Sequence, residues 1–344
     1  MPIIPICTTG TIIEPGYVMW SGQGSKVGGN MHILIIGAAG MLGRKLTASL
    51  LADPLGADTR LTLADVVAPA PVPGAVCLTI DLASPATATA LIAGRPDVIF
   101  HLAAIVSGEA EVDFDKGYTV NLDASRWLFE AIRAQPDYCP RVVFASSAAV
   151  FGTPFAAVID DDFNLTPRTS YGTQKAITEL LLADYSRRGF LDGIGLRLPT
   201  ICIRPGLPNR AASGFFSNIL REPLVGQPAI LPVRDTLRHW FASPRAAVGF
   251  LRHAAVVDTA PMEQRRSLNM PGLSATVAEE IEALRRVAGQ KAVDLIQISP
   301  DPAIATIVES WAQAFNPVRA RAMGFAADAS FDAIIQAHIA DELT

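Results

Sequence analysis

Short apolar runs alternate with longer amphipathic stretches from His32 to about Pro199. The runs predict buried strands at 32–37, 61–65, 76–80, 97–101, 141–146 and 193–198. The stretches between them predict helices at about 41–52, 85–93, 112–134 and 170–188. Continuous apolar strands separated by helices indicate a parallel sheet that is covered on both faces. Right-handed crossovers then give a doubly wound α/β fold, in which ligands bind outside the carboxyl ends of the strands.

The regular alternation ends after Pro199. Residues 203–240 are rich in Pro, Gly, Arg and Asn, and this composition predicts a loop-rich segment. Ser243 followed by Pro244 predicts the start of a helix, because serine caps helices and proline suits their first turn. Further helices are predicted over 276–288 and 330–342. We therefore expect a small mixed α/β lobe at the carboxyl end.

Composition limits the classes of function. Half of the 344 residues are hydrophobic and the net charge is -5, so the chain can bury a large core and shows no basic surface for nucleic acid or anionic membrane. No apolar run reaches the roughly 18 residues that span a bilayer. The four cysteines lack C-x-x-C spacing, which is typical of a reducing, cytoplasmic compartment.

The first thirty residues lie outside the alternating pattern. They contain Pro, Gly and Ser, with no basic segment before an apolar stretch and no small-residue cleavage site, so a secretory signal is not indicated. Met31 directly precedes the first predicted strand. The expected organisation is an extension over 1–30 with no catalytic part, a nucleotide-binding domain of the Rossmann type over 31–200, and a mainly substrate-binding lobe over 201–344.

A glycine-rich turn follows the first predicted strand. Gly37, Gly40 and Gly43 recur at three-residue intervals, and Met41 and Leu42 open the following helix. Such a turn lets the backbone approach a pyrophosphate and points a helix amino terminus at its negative charge. Asp65 ends the next strand, 22 residues after Gly43. A carboxylate there accepts hydrogen bonds from ribose hydroxyls and repels a 2′-phosphate, which favours NAD over NADP.

Residues at the ends of later strands complete the predicted dinucleotide site. Asp81 and Leu82 follow the third strand, where the carboxylate could meet the adenine amino group or cap the helix after Ser84-Pro85. The small residues after His101 would let cofactor and backbone lie close, and His101 itself is expected to be a core residue. Asn121 is a candidate cofactor residue, although bracing of neighbouring backbone is the favoured interpretation. The run after His101 is Leu102, Ala103 and Ala104.

Three side chains are candidates for proton and hydride chemistry. Tyr171 and Lys175 are four residues apart, so on a helix they share a face. Tyrosine with its ordinary pKa near 10 is a poor base, and we expect the lysine ammonium together with oxidised nicotinamide to favour the phenolate. Ser147, at the end of a strand, can donate a hydrogen bond to a substrate oxygen. An exposed helical pair is the alternative interpretation of Tyr171 and Lys175.

The motifs G-A-A-G-M-L-G, D-V-I-F-H-L-A-A, S-S-A-A-V-F-G and Y-G-T-Q-K, spread over about 31–200, resemble those of extended short-chain dehydrogenases/reductases. That family includes nucleotide-sugar epimerases and dehydratases. The resemblance implies Ser147, Tyr171 and Lys175 as the catalytic set, with Lys175 also on the nicotinamide ribose. It further implies that Pro199, Thr200 and Ile201 lie beside the nicotinamide.

Two positions depart from the nucleotide-sugar pattern. Thr200 stands where epimerases of the family usually have Asn, and Phe151 stands where they usually have Tyr. The segment over 145–250 is instead similar to D-erythronate dehydrogenases, a subgroup that oxidises a four-carbon sugar acid at C2. Guanidinium groups suit a carboxylate and also a diphosphate, so the arginines of this segment do not decide between them. The candidate substrate residues are Ser107, Ser147, Tyr171, Arg204, Asn209 and Arg238.

The favoured hypothesis is an NAD-dependent oxidoreductase acting on a small sugar acid, as a homodimer formed through the helices at 112–134 and 170–188. The first alternative is a nucleoside-diphosphate-sugar epimerase or dehydratase with tightly held NAD. The second is a binding protein that only senses the dinucleotide, which the presence of both Tyr171 and Lys175 disfavours. No metal is expected, because the five histidines lack ligand-like spacing and Asp160, Asp161 and Asp162 are interpreted as a solvated turn.

Overall fold

The structure is a computed structural model that describes residues 12–14, 17–18, 29–206 and 212–343. Most of the extension predicted over 1–30, as well as the candidate substrate residue Asn209, therefore lies outside the described residues. Within that extension, the strands β1 (Ile12–Glu14) and β2 (Tyr17–Val18) form an antiparallel pair.

A seven-stranded parallel sheet forms the centre of the molecule. Its strands are β3 (Asn30–Ile36), β4 (Asp58–Asp65), β5 (Ala75–Thr79), β6 (Val98–His101), β7 (Arg141–Ser147), β8 (Asp192–Leu198) and β12 (Ser267–Asn269). Across the sheet the order is β12-β8-β7-β6-β3-β4-β5. The strand order reverses between β3 and β6, which creates a crevice at their carboxyl ends where ligands bind in folds of this kind. The doubly wound α/β fold is confirmed, and the six strands predicted before Pro199 are all present.

Helices cover both faces of the sheet. They are α1 (Met41–Ala52), α2 (Pro85–Ile92), α5 (Ala124–Arg133), α6 (Ser170–Arg187) and α8 (Pro244–Val256). Successive residues of β3 point to opposite faces. Ile33 and Ile35 pack in the core beneath α1 and α8, whereas Leu34 and Ile36 pack in the core beneath α2 and α5. The alternation explains why β3 is apolar on both faces from Ile33 to Ile36.

The helix predicted over 112–134 is confirmed as a continuous helical stretch from Phe114 to Arg133, and a separate short helix that was not predicted precedes it. The chain forms α3 (Ser107–Val112), α4 (Phe114–Gly117), a wide π-helical segment (Tyr118–Asp123) and then α5. The break comes at Asp113, whose carboxylate accepts a hydrogen bond from the Lys116 amide at 3.1 Å and so caps α4. Aspartate competes with helical backbone bonding in this way, and apolar periodicity does not register it.

The carboxyl-terminal part contains smaller sheets. The strands β9 (Thr200–Ile201), β11 (Arg238–Ala242) and β13 (Leu273–Thr276) form a three-stranded sheet in the order β13-β11-β9, and β10 (Ala229–Leu231) pairs with β14 (Ile296–Ile298). Strand β12 and helix α8 return to the central sheet from this half of the chain. The helices outside α8 are α7 (Gly214–Leu224), α9 (Val277–Ala288), α10 (Gln290–Val293), α11 (Pro302–Glu309), α12 (Val318–Ala322) and α13 (Phe331–His338).

The predicted helix starts in this half are confirmed by their caps. The Ser243 hydroxyl accepts from the Ala246 amide at 2.9 Å, and Thr276 forms a capping box with Glu279. The prediction of a loop-rich 203–240 is wrong in part, because α7 and β10 lie there. Helix α7 is recognisable afterwards from Phe215, Phe216, Ile219 and Leu220, all of which are buried.

Candidate active site

The glycine turn connects β3 to α1 with the backbone packed tightly. Gly37 has a φ of +90°, and a Cβ there would lie 2.6 Å from the Ala103 nitrogen. A Cβ on Gly43 would lie 2.2 Å from the Gly37 oxygen. Gly40 is the residue that precedes α1 and caps it without a side-chain bond, so the first amide groups of Met41 and Leu42 face outward from the helix end. The turn can hold a pyrophosphate against the amino terminus of α1.

Asp65 lies against this turn from the neighbouring strand. Its Oδ2 accepts a hydrogen bond from the Ala39 amide at 2.8 Å. The sequence analysis did not include Arg44, the residue after Gly43, whose Nη1 donates to the Ala39 carbonyl at 2.7 Å. Its position directly after the last glycine was the available signal, because a cation at a helix amino terminus is unexpected unless an anion is bound there. Arg44 is a further residue that could hold the pyrophosphate.

The other predicted dinucleotide residues lie at the ends of β5 and β6. Leu102, Ala103 and Ala104 are half-buried and run beside Gly37. Asp81 accepts from the Ala83 amide at 2.9 Å, and α2 is instead preceded by Ser84, so Asp81 is not the helix cap. Leu82 packs against the core beneath α2 and α5.

His101 and Asn121 lie behind this edge of the sheet. His101 is buried, its Nε2 lies 2.8 Å from the Ser125 hydroxyl, and burial lowers its pKa to about 3. It is therefore a neutral core histidine, as expected. Asn121 is also buried, and its amide bonds the backbone of Ile105. The interpretation of Asn121 as a brace fits these contacts.

The structure brings the three reactive side chains together at the carboxyl end of β7. Ser147 ends β7, and Tyr171 and Lys175 occupy one face at the start of α6. The Lys175 Nζ donates to the Ala145 carbonyl at 2.9 Å and lies 5.6 Å from the centroid of the Tyr171 ring. Ser147 faces Tyr171 and acts to lower the pKa of its phenol. These contacts exclude the interpretation of an exposed helical pair.

Burial dominates the ionisation of this group. It raises the pKa of Tyr171 to about 12, with the Ser147 hydrogen bond lowering it in part, and it lowers the pKa of Lys175 to about 7. The balance in the protein alone is thus opposite to the expected phenolate. The pKa values of the two groups are thus driven apart, which disfavours the phenolate. A further positive charge beside the tyrosine, such as that of bound oxidised nicotinamide, would lower the pKa of Tyr171 again.

A buried polar network supports Lys175 from behind. Glu179 lies one helical turn further along α6 and raises the pKa of Lys175 by its charge. The Ser146 hydroxyl donates to Glu179 at 2.5 Å, and Arg197 of β8 donates to the same carboxylate at 2.8 Å. The carboxylate therefore ties α6 to β7 and β8 close to the reactive end of the strands.

The side chains at the two positions that depart from the nucleotide-sugar pattern, Thr200 and Phe151, both make contacts inside the protein. The Thr200 hydroxyl lies 2.6 Å from Nε2 of the buried His239. The buried Phe151 ring packs beneath the Arg197 guanidinium, 5.1 Å from the ring centroid. Pro199 is buried between β8 and β9, and Ile201 is half-buried on β9.

Arg204 is the most unusual of the predicted substrate residues. It follows β9, its Nη2 donates to the Ser213 hydroxyl at 2.7 Å, and burial lowers the pKa of its guanidinium. No carboxylate within 29–206 or 212–343 pairs with it. A half-buried cation whose guanidinium is bonded to a neutral hydroxyl among the described residues can accept an anionic ligand.

The other arginines described between β9 and β11 and at the start of β11 already have carboxylate partners. Arg238 lies 3.2 Å from Glu279 and donates to the Ser274 carbonyl, and Arg221 lies 2.5 Å from Glu222. Arg234 pairs with Glu309 at the surface. Ser107 is half-buried and is the first residue of α3.

The described residues contain no group of three or more His, Cys, Asp or Glu side chains that could hold a metal ion. At the predicted acidic turn, Asp162 pairs with Arg265 and Asp161 accepts from the Arg319 amide. In the same part of the chain, no helix is long and apolar enough to cross a bilayer.

Comparison with known proteins agrees with this geometry. Residues 33–251 match the model of the NAD dependent epimerase/dehydratase family. This chain belongs to that family. The residues at the β3/β6 crevice fit NAD, because they combine a tight glycine turn, a helix amino terminus and the Asp65 carboxylate, and they could hold it there.

Several relatives are similar to this family member over nearly their whole length. The D-erythronate dehydrogenase of Cupriavidus necator is 49% identical, and the similarity covers 90% of this chain and 98% of that protein. The D-erythronate dehydrogenase of Haemophilus influenzae is 43% identical, and the similarity covers 90% of this chain and 99% of that protein. A solved structure described as a nucleoside-diphosphate-sugar epimerase from Agrobacterium tumefaciens is 59% identical, covers 94% of this chain and 98% of its own, and superposes with a TM-score of 0.90.

Proposed function

We propose that the protein is an NAD-dependent dehydrogenase that oxidises a small sugar acid, D-erythronate, at C2. The observation that carries this proposal is the half-buried Arg204, a cation without a carboxylate partner in the described residues that follows the strand beside the predicted nicotinamide position. Two relatives at 49% and 43% identity that are D-erythronate dehydrogenases support the same class of substrate.

The proposed roles follow from the contacts. Ser147 holds the C2 hydroxyl oxygen, Tyr171 takes its proton, and Lys175 stabilises the phenolate through charge. Arg204 binds the substrate carboxylate and so orients C2 toward the cofactor. When bound, NAD supplies the hydride acceptor. Asp65 accepts bonds from the adenosine ribose, and Asp81, Leu82 and the 102–104 run line the remainder of the dinucleotide site.

A nucleotide-sugar epimerase is the second candidate, favoured by the 59% identical structure that is described as one. Epimerases of this kind need donors for a diphosphate. Thr200 is already bonded to His239 and Phe151 has no hydroxyl, so the two positions that usually serve a nucleotide sugar are unsuited to it.

Turnover on a panel of substrates distinguishes the two candidates. The purified protein is supplied with NAD and with D-erythronate, other four- and five-carbon sugar acids, or uridine-diphosphate sugars, and reduced cofactor is followed by absorbance. The proposal expects accumulation of reduced cofactor with a four-carbon acid. Interconversion of a nucleotide sugar without net reduction would support the epimerase, and no turnover with any acid would refute the dehydrogenase.

We also propose a homodimer formed through the helical segments at 112–134 and 170–188. Leu180 on α6 is 65% exposed and Val112, the last residue of α3, is 89% exposed, which is unusual for apolar side chains on neighbouring helices. Covering them with the same surface of a second copy gives a two-fold interface. The mass in solution tests it: the proposal expects a dimer that Leu180→Glu converts to a monomer, and a monomeric wild-type protein would refute it.

A cytoplasmic location is proposed on the cysteine usage. Cys77 and Cys202 form no disulfide in the described part of the chain. Fractionation of cells that produce the protein tests the location, and recovery outside the cytoplasm would refute it.

A further inference from the structure

A buried amide pair joins the catalytic helix to the loop after β6. Gln174 directly precedes Lys175 and is completely buried. Its Oε1 accepts a hydrogen bond from the Asn121 Nδ2 at 2.7 Å. Its Nε2 has no hydrogen-bond partner in the described residues. Only the oxygen of this side chain is therefore used, and it is used on Asn121.

The side-chain amide of Asn121 in turn bonds both the N–H and the carbonyl group of Ile105. Its Oδ1 accepts from the Ile105 amide at 2.9 Å, and its Nδ2 donates to the Ile105 carbonyl at 3.3 Å. An asparagine amide can be rotated by half a turn, which would place its NH₂ group against the Ile105 N–H. The accepting oxygen of Gln174 opposes that rotation, because it requires a donor at the Nδ2 position.

The wide π-helical segment brings Asn121 to this position. The backbone carbonyl of Asn121 accepts from the Ser125 hydroxyl at 3.0 Å and from the Thr178 hydroxyl at 3.3 Å. These bonds fix the main chain of the segment independently of the side-chain amide. The main chain and the amide of Asn121 can therefore be perturbed separately.

Ile105 lies between the two parts of the candidate site. The residues before Ile105 run past Gly37. The backbones are so close there that a Cβ added to Gly37 would lie 2.6 Å from the Ala103 nitrogen. Two residues after it, Ser107 begins α3 and is a candidate substrate contact. A change in the Ile105 peptide therefore moves the floor of the dinucleotide site and the start of α3 together.

We propose that Gln174 is a positioning residue that sets the conformation of the 102–107 loop by fixing the amide of Asn121. It touches neither substrate nor cofactor and acts through Asn121 and Ile105. The effect on substrate binding through Ser107 rests on the proposed function. The effect on NAD binding does not.

The test replaces Gln174 by Met, which keeps the volume and removes the acceptor. NAD affinity is measured by calorimetry, and amide hydrogen exchange is measured on peptides covering 102–107. We expect Q174M to weaken NAD binding by about tenfold, the effect of about one neutral hydrogen bond, and to accelerate exchange in that loop. The pH profile keeps its midpoints, because Tyr171 and Lys175 are unchanged.

Two further variants separate positioning from loss of stability. Gln174→Glu keeps an accepting oxygen and replaces the unpartnered Nε2 by a second carboxyl oxygen, and burial favours the protonated, uncharged acid at this position. We therefore expect it to retain most of the NAD affinity and the slow exchange. Thr178→Val removes a buried hydroxyl one turn along the same helix that bonds Asn121 at its carbonyl. We expect T178V to leave the NAD affinity unchanged even where it lowers Tm.

Three results would overturn the inference: unchanged NAD affinity and exchange in Q174M, failure of Q174E to restore them, or the same losses in T178V. A wild-type protein that binds NAD but oxidises no sugar acid would refute the proposed function alone, and the NAD affinities would still decide the role of Gln174.

Discussion

The cofactor side and the substrate side of the site are built in different ways. On the cofactor side, backbone packs on backbone: Gly37 against Ala103 and Gly43 against Gly37, with no room for a Cβ. On the substrate side, the proposed contacts are made by long polar side chains. Arg204 is the main example, and its guanidinium donates to the Ser213 hydroxyl. The backbone packing fixes the shape of the cofactor side, whereas the Arg204 guanidinium presents a positive charge to the substrate.

The difference teaches which part of the site carries specificity. A backbone cradle suits any dinucleotide and tolerates few substitutions, because any added atom meets main chain. Side chains on the lobe can be exchanged without moving the sheet, so the choice between a sugar acid and a nucleotide sugar resides there. Tyr171 and Lys175 lie between the two sides, and we propose that they serve both.

The largest expected effect comes from removing the group between the two sides. Tyr171→Phe deletes the proton acceptor and leaves the ring, so we expect kcat/KM to fall by about 10²–10⁴ while NAD affinity stays unchanged. Tyr185→Phe is the control, because that hydroxyl lies on the same helix and bonds Glu130 instead. Steady-state rates and NAD titrations check it, and a Y171F enzyme of wild-type rate would contradict the assigned base.

The cofactor side is tested with Gly43→Ala. The new Cβ would meet the Gly37 oxygen at 2.2 Å, and such overpacking costs about 1–3 kcal/mol, so NAD affinity should fall by about 10- to 100-fold. Gly249→Ala is the matched control in helix α8, since its Cβ meets nothing within 4 Å. Calorimetry on both variants measures the difference, and equal NAD affinities would count against the backbone cradle.

The substrate side is tested with Arg204→Met. Loss of a charged hydrogen bond to the substrate should raise KM for the sugar acid by about tenfold or more, and the affinity for NAD should not change. Arg238→Met serves as the comparison, because the ion pair of Arg238 with Glu279 already uses its charge. We expect R238M to have nearly the wild-type KM. A larger rise in KM for R238M than for R204M would indicate that Arg238, and not Arg204, binds the substrate carboxylate.

The smallest effect concerns stability, and it is expected on both sides. His101 behind the cofactor side and His239 behind the substrate side have pKa values lowered by burial to about 3 from an ordinary 6.5. The folded state binds fewer protons than the unfolded state between these values, so stability is lost as the pH falls from about 6.5 toward 3. Urea unfolding at a series of pH values measures the slope, which H101F should reduce.

The cofactor side was predictable from the sequence and the substrate side was not, for physical reasons. Gly37, Gly43 and Asp65 follow strands at fixed spacing, so their meeting point is set by the topology of the sheet. Arg204 looks like any other arginine of its segment until its partners are known. The break at Asp113 and the Gln174–Asn121 pair depend on single hydrogen bonds between elements, which a periodic pattern does not record.

The most direct test of the account follows the hydrogen on C2. D-Erythronate carrying deuterium at C2 is incubated with the enzyme and one equivalent of NAD, and the reduced cofactor and the acid are analysed by mass spectrometry. The account predicts deuterium in reduced cofactor that is released into solution, together with an equal amount of the 2-oxo acid. Deuterium that stays on the acid, or returns to it with no net reduction, would contradict it.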